Sequence, residues 1–550
     1  MNRLRLCTLI AILGAGDVWS EPIEDVLSVL AITRDELGIR KSYLPDPDRL
    51  TVQLSVMADP LAGRDWLETY ADSLIQTDAR GVVRLVGQLL DVNVDTTASG
   101  GGEVLDAVKR SSTRVRSLDF RGDSLIGLVH PDSTWRYPKV ADAIRTGRSV
   151  AMDGLLQVAA DLLASLKVVT PAADVVRRFD TPFGRVVIGT FEADTYEGRH
   201  ALIVDPGGDD HYVDAAGVSS VTVPVSITID LAGDDHYSER AGVGRSGVGV
   251  LVDVSGNDVY EGGGASFGAG VGGVGLLVDQ TGNDRFESGV GAQGFGLYGV
   301  GILIDGEGED TYVCSYLGQG AAGPGGVGLL LDRKGNDRYS AGGVYPDFRE
   351  SQRYFQSMSQ GFSFGLQTEA SGGVGLLVDA VGSDRYEVSY FGQGASHWAG
   401  LGGLYDGDGN DTYLARRYAQ GCGVHLAAGV LVDRSGDDLY SMWGVGQGCG
   451  HDLAVGVLSD VSGDDRYTID WLGQGAGNAN GIGLLLEGAG DDIYSAASND
   501  TQGYGSPARD YGSIGLLIDS SGKDTYRDNA RTLILSGSQG ARLDVEGSTP

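Results

Sequence analysis

Asp406-Gly-Asp-Gly-Asn-Asp-Thr-Tyr413 is one copy of a motif, Asp-x-x-Gly-x-Asp-x-Tyr, that recurs between Asp205 and Tyr526. The copies start at Asp205, Asp230, Asp253, Asp279, Asp305, Asp332, Asp379, Asp406, Asp433, Asp460, Glu487 and Asp519. From Asp379 through Asp406, Asp433 and Asp460 to Glu487 the spacing is 27 residues. A fixed period of this size marks a stacked-repeat architecture, in which each unit buries its apolar face only against its neighbours. Upstream of each first acid runs Gly-φ-Leu-φ, as in Gly429-Val-Leu431-Val and Gly456-Val-Leu458-Ser, where φ is usually apolar. Positions four and two before the acid share one face of an extended strand, so like residues stack turn on turn.

An aromatic falls seven residues after each first acid, Tyr in every copy except Phe286. A Gln-Gly pair recurs thirteen residues before the acid, at Gln319, Gln393, Gln420, Gln447 and Gln474, with Gln293 one residue off. Three short strands separated by Gly-rich corners fit such a unit, and 89 glycines disfavour helical repeats. The expected fold is therefore mainly β: a parallel β-helix (solenoid) of about 12 coils with a 27-residue period, roughly 55–60 Å long. Positions one and three before the acid are also largely apolar (Leu276 and Val278, Ile302 and Ile304, Leu329 and Leu331). A strand apolar on both faces is covered on both. One side of the rod is expected to pack against the N-terminal region, a partner or a second copy.

Residues 21–182 differ in kind: Ile23–Leu37, Trp66–Ile75, Val83–Leu90 and Leu155–Leu166 carry apolar residues at helical spacing. A small, mainly α-helical domain is expected there. Transition strands follow over 183–204, then repeats over 205–530 and a C-terminal cap and tail over 531–550. Residues 1–20 read as a secretory signal, with Arg3 and Arg5 ahead of the apolar Leu6–Leu13. That run is too short to span a bilayer. The expectation is an exported protein (periplasmic, cell-surface or secreted) with no transmembrane span in the mature chain. A net charge of −34 argues against nucleic acid as partner. Cys422 and Cys449 share one register 27 residues apart, which suits a disulfide or a stack of free thiols.

Stacking brings carboxylates of neighbouring coils to strand spacing. Two unit charges about 5 Å apart repel by ~3 kcal/mol at an effective dielectric of 20. Arg285, Arg338, Arg385 and Arg466 follow the second acid directly, but only in four coils. Calcium takes six to eight oxygen ligands from carboxylates and carbonyls in flexible turns, and is the natural alternative. Asp406-Gly-Asp-Gly-Asn-Asp-Thr-Tyr413 and Asp305-Gly-Glu-Gly-Glu-Asp-Thr-Tyr312 resemble the repeats-in-toxin nonapeptide, Gly-Gly-x-Gly-x-Asp-x-apolar, over about eight residues per repeat. That resemblance implies Ca2+ held between turns by Asp210, Asp235, Asp258, Asp284, Asp310, Asp337, Asp384, Asp411, Asp438, Asp465, Asp492 and Asp524. Here Asp replaces the first Gly, and the motif comes once per coil rather than in tandem. Metal-free Asx turns at the corners are the alternative.

His397, His425 and His451 occupy nearly one repeat position and should line one face, beside Trp398 and Asp452. Insertions at 340–360 and 495–511 bracket this strip, and the first carries Arg349, Arg353 and Tyr354. Long loops on a rigid scaffold are where function concentrates. The favoured expectation is a non-catalytic, calcium-binding repeat protein presenting a binding surface for a polysaccharide or cell-envelope ligand. A homo-oligomer through the apolar sheet face is a further expectation. The alternative is a carbohydrate-active enzyme (polysaccharide lyase, epimerase or hydrolase) with a groove between the insertions. Its catalytic candidates are His397, His425, His451 and Tyr354, with Arg349 and Arg353 holding an acidic sugar.

Overall fold

The computed structural model of the chain describes residues 20–39, 49–97, 104–118, 125, 137–166, 175–510, 512–527, 533–535 and 538–544. The signal-like segment before Ser20, the Gly-rich 99–102 and Tyr511 lie outside them.

The repeats wind into a three-sided parallel β-helix. One side is a 16-stranded sheet built from the Gly-φ-Leu-φ segments, such as Val374–Val378, Leu401–Asp406, Ala428–Asp433 and Val455–Asp460. The second, 15-stranded, carries the segments after the second acid, such as Thr412–Ala419 and Leu439–Gly446. The third side is made of two-residue strands, among them Ser396–His397, Gly423–Val424, Gly450–His451 and Gly477–Asn478. Equivalent residues pair coil to coil: Leu404↔Leu431↔Leu458↔Leu485, and Tyr413↔Tyr440↔Tyr467↔Tyr494. The period-2 pattern therefore sets the faces: the Leu two before the first acid, that acid and the aromatic all point inward.

The interior is a set of ladders. The aromatics form an unbroken stack from Tyr196 to Tyr526, with ring centroids 4.3–5.1 Å apart. It starts one rung before the first recognisable motif. Gly189 holds the first-acid position of that rung, in register with Asp205, because Tyr196 and Asp205 already fill the space a Cβ would take. The Gln ladder staples the corner. Gln393 Nε2 donates to the carbonyls of Tyr386 (3.1 Å) and Leu414 (3.0 Å), and Gln319 does the same to Tyr312 and Ser340. Gln293 makes these bonds to Phe286 and Val313, so its offset is constant relative to the aromatic and shifts only relative to the next acid. Gln360, inside the longest unit, is a further member. At the acidic corner, Gly436 (φ +153°) faces the Gly409 carbonyl so closely that any Cβ would overlap it, which is why Gly is fixed there. Cys422 and Cys449 are free, buried thiols.

Antiparallel hairpins close both ends of the large sheet: Arg177–Thr181 with Gly184–Ile188, and Leu533–Leu535 with Ser538–Asp544. A sheet so closed offers no free parallel edge at its ends.

Seven α-helices precede the rod among the described residues: α1 Ser20–Leu30, α2 Thr51–Ala58, α3 Pro60–Ile75, α4 Ala79–Leu89, α5 Val104–Arg116, α6 Tyr137–Arg148 and α7 Met152–Ser165. Asp59 caps α3 by accepting from Ala62 N, with Pro60 at the first turn, and Asp78 caps α4 through Gly81 N. Most of the helices lie on the outer face of the large sheet, whereas Ala143 and Ile144 of α6 pack with Val271 and Leu297 of the third side. Leu67, Leu74, Val86, Leu156 and Leu163 join Leu276, Ile302, Leu329, Leu376 and Val430 in one buried core. The apolar outer face is thus covered by the chain's own N-terminal region. Polar contacts fix the docking: Arg333 donates to Thr77 O (2.8 Å), and Gln53 Nε2 donates to Gly372 O (2.9 Å) and Gly373 O (2.8 Å). No described helix is long and apolar enough to cross a membrane.

Gln53 is wholly buried. Gln53→Leu strands the buried Gly372 carbonyl, since Gly373 O keeps the Leu401 N–H and the Ser363 hydroxyl, at a cost of about 1–3 kcal/mol. The helices should then become sensitive to limited proteolysis at lower denaturant than the rod. Unchanged protection would show that the helices do not depend on this contact.

Candidate functional site: the buried acidic ladder

Each coil brings two acids inside. The first closes the strand of the large sheet, and the second follows the Gly corner. Asp205, Asp230, Asp253, Asp305, Asp379, Asp406 and Asp433 are wholly buried, and Asp210, Asp235, Asp258, Asp411, Asp438 and Asp465 are at most 2 % exposed. Their partners divide cleanly. The tyrosine hydroxyl of each coil donates to the first acid of the next: Tyr312 to Asp332, Tyr339 to Asp379, Tyr413 to Asp433 and Tyr467 to Glu487, at 2.5–2.7 Å. The Oδ1 of each second acid accepts the backbone N–H of the second acid one coil back. Examples are Asp258 N to Asp284, Asp384 N to Asp411 and Asp438 N to Asp465, at 2.6–2.7 Å.

The Oδ2 of the second acid has no donor among the described residues. This holds for Asp210, Asp235, Asp258, Asp284, Asp310, Asp337, Asp384, Asp411, Asp438, Asp465, Asp492 and Asp524, whose Oδ2 atoms are all buried. These are the twelve positions at which the nonapeptide resemblance places the metal ligands. The acids that carry them lie close to other carboxylates. Asp210, Asp230 and Asp235 bring carboxylate oxygens within 4.8 Å of one another, as do Asp235, Asp253 and Asp258, then Asp258, Asp279 and Asp284. Such groups can hold a metal ion. Their third member, the first acid of the motif, is absent from the ligand set the sequence suggested, because the nonapeptide has Gly there. The signal was its recurrence in every copy.

Arginine does not neutralise the row. Arg285, Arg338 and Arg466 are exposed; Arg285 pairs with Glu287, and Arg338 with Glu387 at 3.5 Å, on the outer face. Burial, followed by the neighbouring carboxylates, raises the acids' pKa values: Asp284 to about 6, Asp235 to about 7, Asp210 and Asp438 to about 8. Burial likewise holds Asp305, Asp379 and Asp433 well above the carboxylate range. Something positive must lie between the facing oxygens, either shared protons or a multivalent cation.

The histidine strip lies around the corner, on the third side. His397, His425 and His451 are neighbours, with ring centroids 5.2 Å and 6.0 Å apart. His425 Nδ1 is 2.9 Å from Asp452 Oδ2, which also takes Arg509 at 2.8 Å, and His451 Nδ1 meets Asn478 at 2.8 Å. Burial, followed by His425, pushes His397 down to about 3 and His451 to about 4. Both are neutral at physiological pH. Burial works to raise the Asp452 carboxyl, but Arg509 and His425 outweigh it and leave it below its ordinary value. A carboxylate-oriented imidazole of this kind can hold or move a proton.

Of the other candidates, Arg349 reaches the strip. It lies over Phe391 and Tyr418 (5.7 and 5.3 Å) and pairs with the buried Asp347 at 2.9 Å. Tyr354 does not join it; its ring lies 4.5 Å from the Arg416 guanidinium on the adjoining side. Arg353 is exposed, and no hydrogen bond or ion pair ties it to the strip among the described residues. Sequence reasoning missed Glu350, Arg416, Arg417, Trp443 and Trp471, which form that adjoining corner. No family model matches the chain, and neither does any curated protein or solved structure.

One rung is a natural control. Phe286 has no hydroxyl to offer, and both oxygens of Asp305 lack a donor. Phe286→Tyr should restore the missing bond and stabilise the rod by about 1–2 kcal/mol, seen as a shift of the unfolding transition to higher denaturant. No shift would mean that Asp305 has a better partner than a phenol.

The pH response follows from the raised values. Such carboxyls contribute stability that is fully present below the unfolded value of about 4. That stability is lost as pH climbs through folded values of about 6 for Asp284 to about 8 for Asp210. In chelator-treated protein the melting midpoint should therefore fall as pH is raised from about 4 to about 8. A midpoint that rises across this window would show that the acids are not held protonated.

Proposed function

We propose that the chain is a non-catalytic, calcium-binding β-helix protein of the cell exterior that presents a binding surface for a polysaccharide or cell-envelope ligand. The observation that carries the cation reading is the row of buried Oδ2 atoms without donors, on acids grouped so that their carboxylate oxygens come within 4.8 Å of one another, in a chain with a net charge of −34. The donor set suits a hard divalent ion. Carboxylate oxygens come from two acids of one coil and one of the last, at Gly-rich corners whose carbonyls lie close by. The repeats-in-toxin resemblance supports calcium in particular. An exterior location rests on the signal-like N-terminus alone.

A ligand that binds only the folded rod at a hundred times its dissociation constant contributes about 2.7 kcal/mol per site. With several sites filled, millimolar calcium should raise the melting midpoint by roughly 10 °C or more over chelated protein, and most at neutral pH, where protons no longer hold the row. Elemental analysis of undialysed protein should find several calcium ions per chain. Replacing Asp411 and Asp438 by Asn should lower that number without unwinding the rod. Protein that contains no divalent metal, and melts identically with chelator and with calcium, would leave the row to shared protons and defeat the reading.

A further inference from the structure

The corner between the second and third sides concentrates positive charge and aromatic surface on an otherwise acidic protein. Arg416 and Arg417 lie on the strand Thr412–Ala419. The charge of Arg416 is already matched: it takes Glu350 from the insertion at 2.7 Å and lies between Tyr354 (4.5 Å) and Trp443 (3.9 Å). Glu350 also accepts from the Tyr390 hydroxyl at 2.8 Å, so the insertion is pinned to this corner.

Arg417 differs. No carboxylate pairs with it among the described residues, and its Nε is buried without an acceptor. Its guanidinium carbon lies 4.7 Å from the Tyr418 ring centre and 4.9 Å from that of Trp471. One coil on, in register with Arg417, stands Gly444, and one coil further Trp471. A Cβ at Gly444 would collide with Trp471 Nε1, so the missing side chain is what lets the indole lie back across that coil toward Arg417. The Trp471 N–H is likewise buried without an acceptor. Trp443, edge-on to Trp471 at 5.5 Å, is half-buried.

We propose that this corner binds an acidic polysaccharide, with a sugar carboxylate on the Arg417 guanidinium and the pyranose rings against Trp443 and Trp471. A planar guanidinium fork matches a carboxylate. A guanidinium with no directly paired carboxylate among the described residues, on a chain with 34 surplus negative charges, favours an anion over a neutral glycan. Flat aromatic faces on rigid strands bind with little ordering cost. This inference supplies the ligand class for the binding surface proposed above and is independent of the cation reading.

The test uses the full chain in magnesium buffer, titrated with oligogalacturonate and followed by tryptophan fluorescence and calorimetry. Neutral cello-oligosaccharide, polyglutamate and single-stranded DNA serve as comparators. Oligogalacturonate should bind, more weakly as salt rises, and the comparators at least tenfold more weakly. Arg417→Met should lower affinity at least tenfold with the calcium-dependent melting intact. Arg417→Lys, which keeps the charge and loses the fork, should retain part of the affinity and guards against a folding defect in the first variant. No binding, equal binding of a comparator, or wild-type affinity in both variants would overturn the proposal. None of those results would bear on the melting response to calcium.

Discussion

The structure depends on burying two rows of carboxylates inside a narrow parallel coil. Strand spacing brings each acid to its counterparts above and below, and at that distance like charges repel by ~3 kcal/mol even at an effective dielectric of 20. The rod answers partly with donors of its own. Tyrosine hydroxyls reach up one coil to the first acids, and backbone N–H groups reach up one coil to the second. The corner glycines let successive carbonyls come close enough for both to occur. One oxygen per second acid still lacks a donor, and the remaining force must come from outside the covalent chain. Protons and divalent cations both supply it, with opposite responses to pH. Protons hold the row in acid and leave as pH rises, whereas a cation needs the carboxylates ionised.

What the sequence made legible was whatever repeats. Period-2 alternation ahead of each acid fixed the inward Leu row, and the outward apolar row announced a cover, which proves to be the N-terminal helices. Repetition also misled. The rung at Tyr196 went unseen because Gly189 and Glu192 erase two motif positions, although Asp194 and Tyr196 keep their places. Gln293 looked displaced because its position was measured to the next acid, whereas its bond is to the carbonyl of its own aromatic. The first acids were left out of the ligand set because the resembling nonapeptide carries Gly there; only three-dimensional closeness places them with the second acids.

The helices and the rod solve each other's burial problem. A strand with Leu on one face and Val or Ile on the other cannot stand alone in water, and an amphipathic helix of eight to sixteen residues is marginal on its own. Docked together, they share one core that runs from Ile23 to Ala541. Tyr405 shows how the fit is tuned. It interrupts the apolar outer row with a hydroxyl, and Asp72 of α3 stands 3.5 Å from it.

Periodicity also separates scaffold from function. A residue that recurs from coil to coil is explained by the coil: the Tyr hydroxyls, the Gln side chains and the backbone N–H groups of the second acids each reach a neighbour one turn away. A residue that appears once cannot be explained that way. Arg416, Arg417, Trp443 and Trp471 break the pattern of their registers within three successive coils. The longest insertion folds back to the same place through Glu350. His425, Asp452 and Arg509, from two coils and the second insertion, form the only other such departure described above. Both departures lie where no described helix packs on the rod, on either side of one edge. That coincidence of irregular sequence, inserted chain and open surface is what the repeat geometry neither requires nor produces.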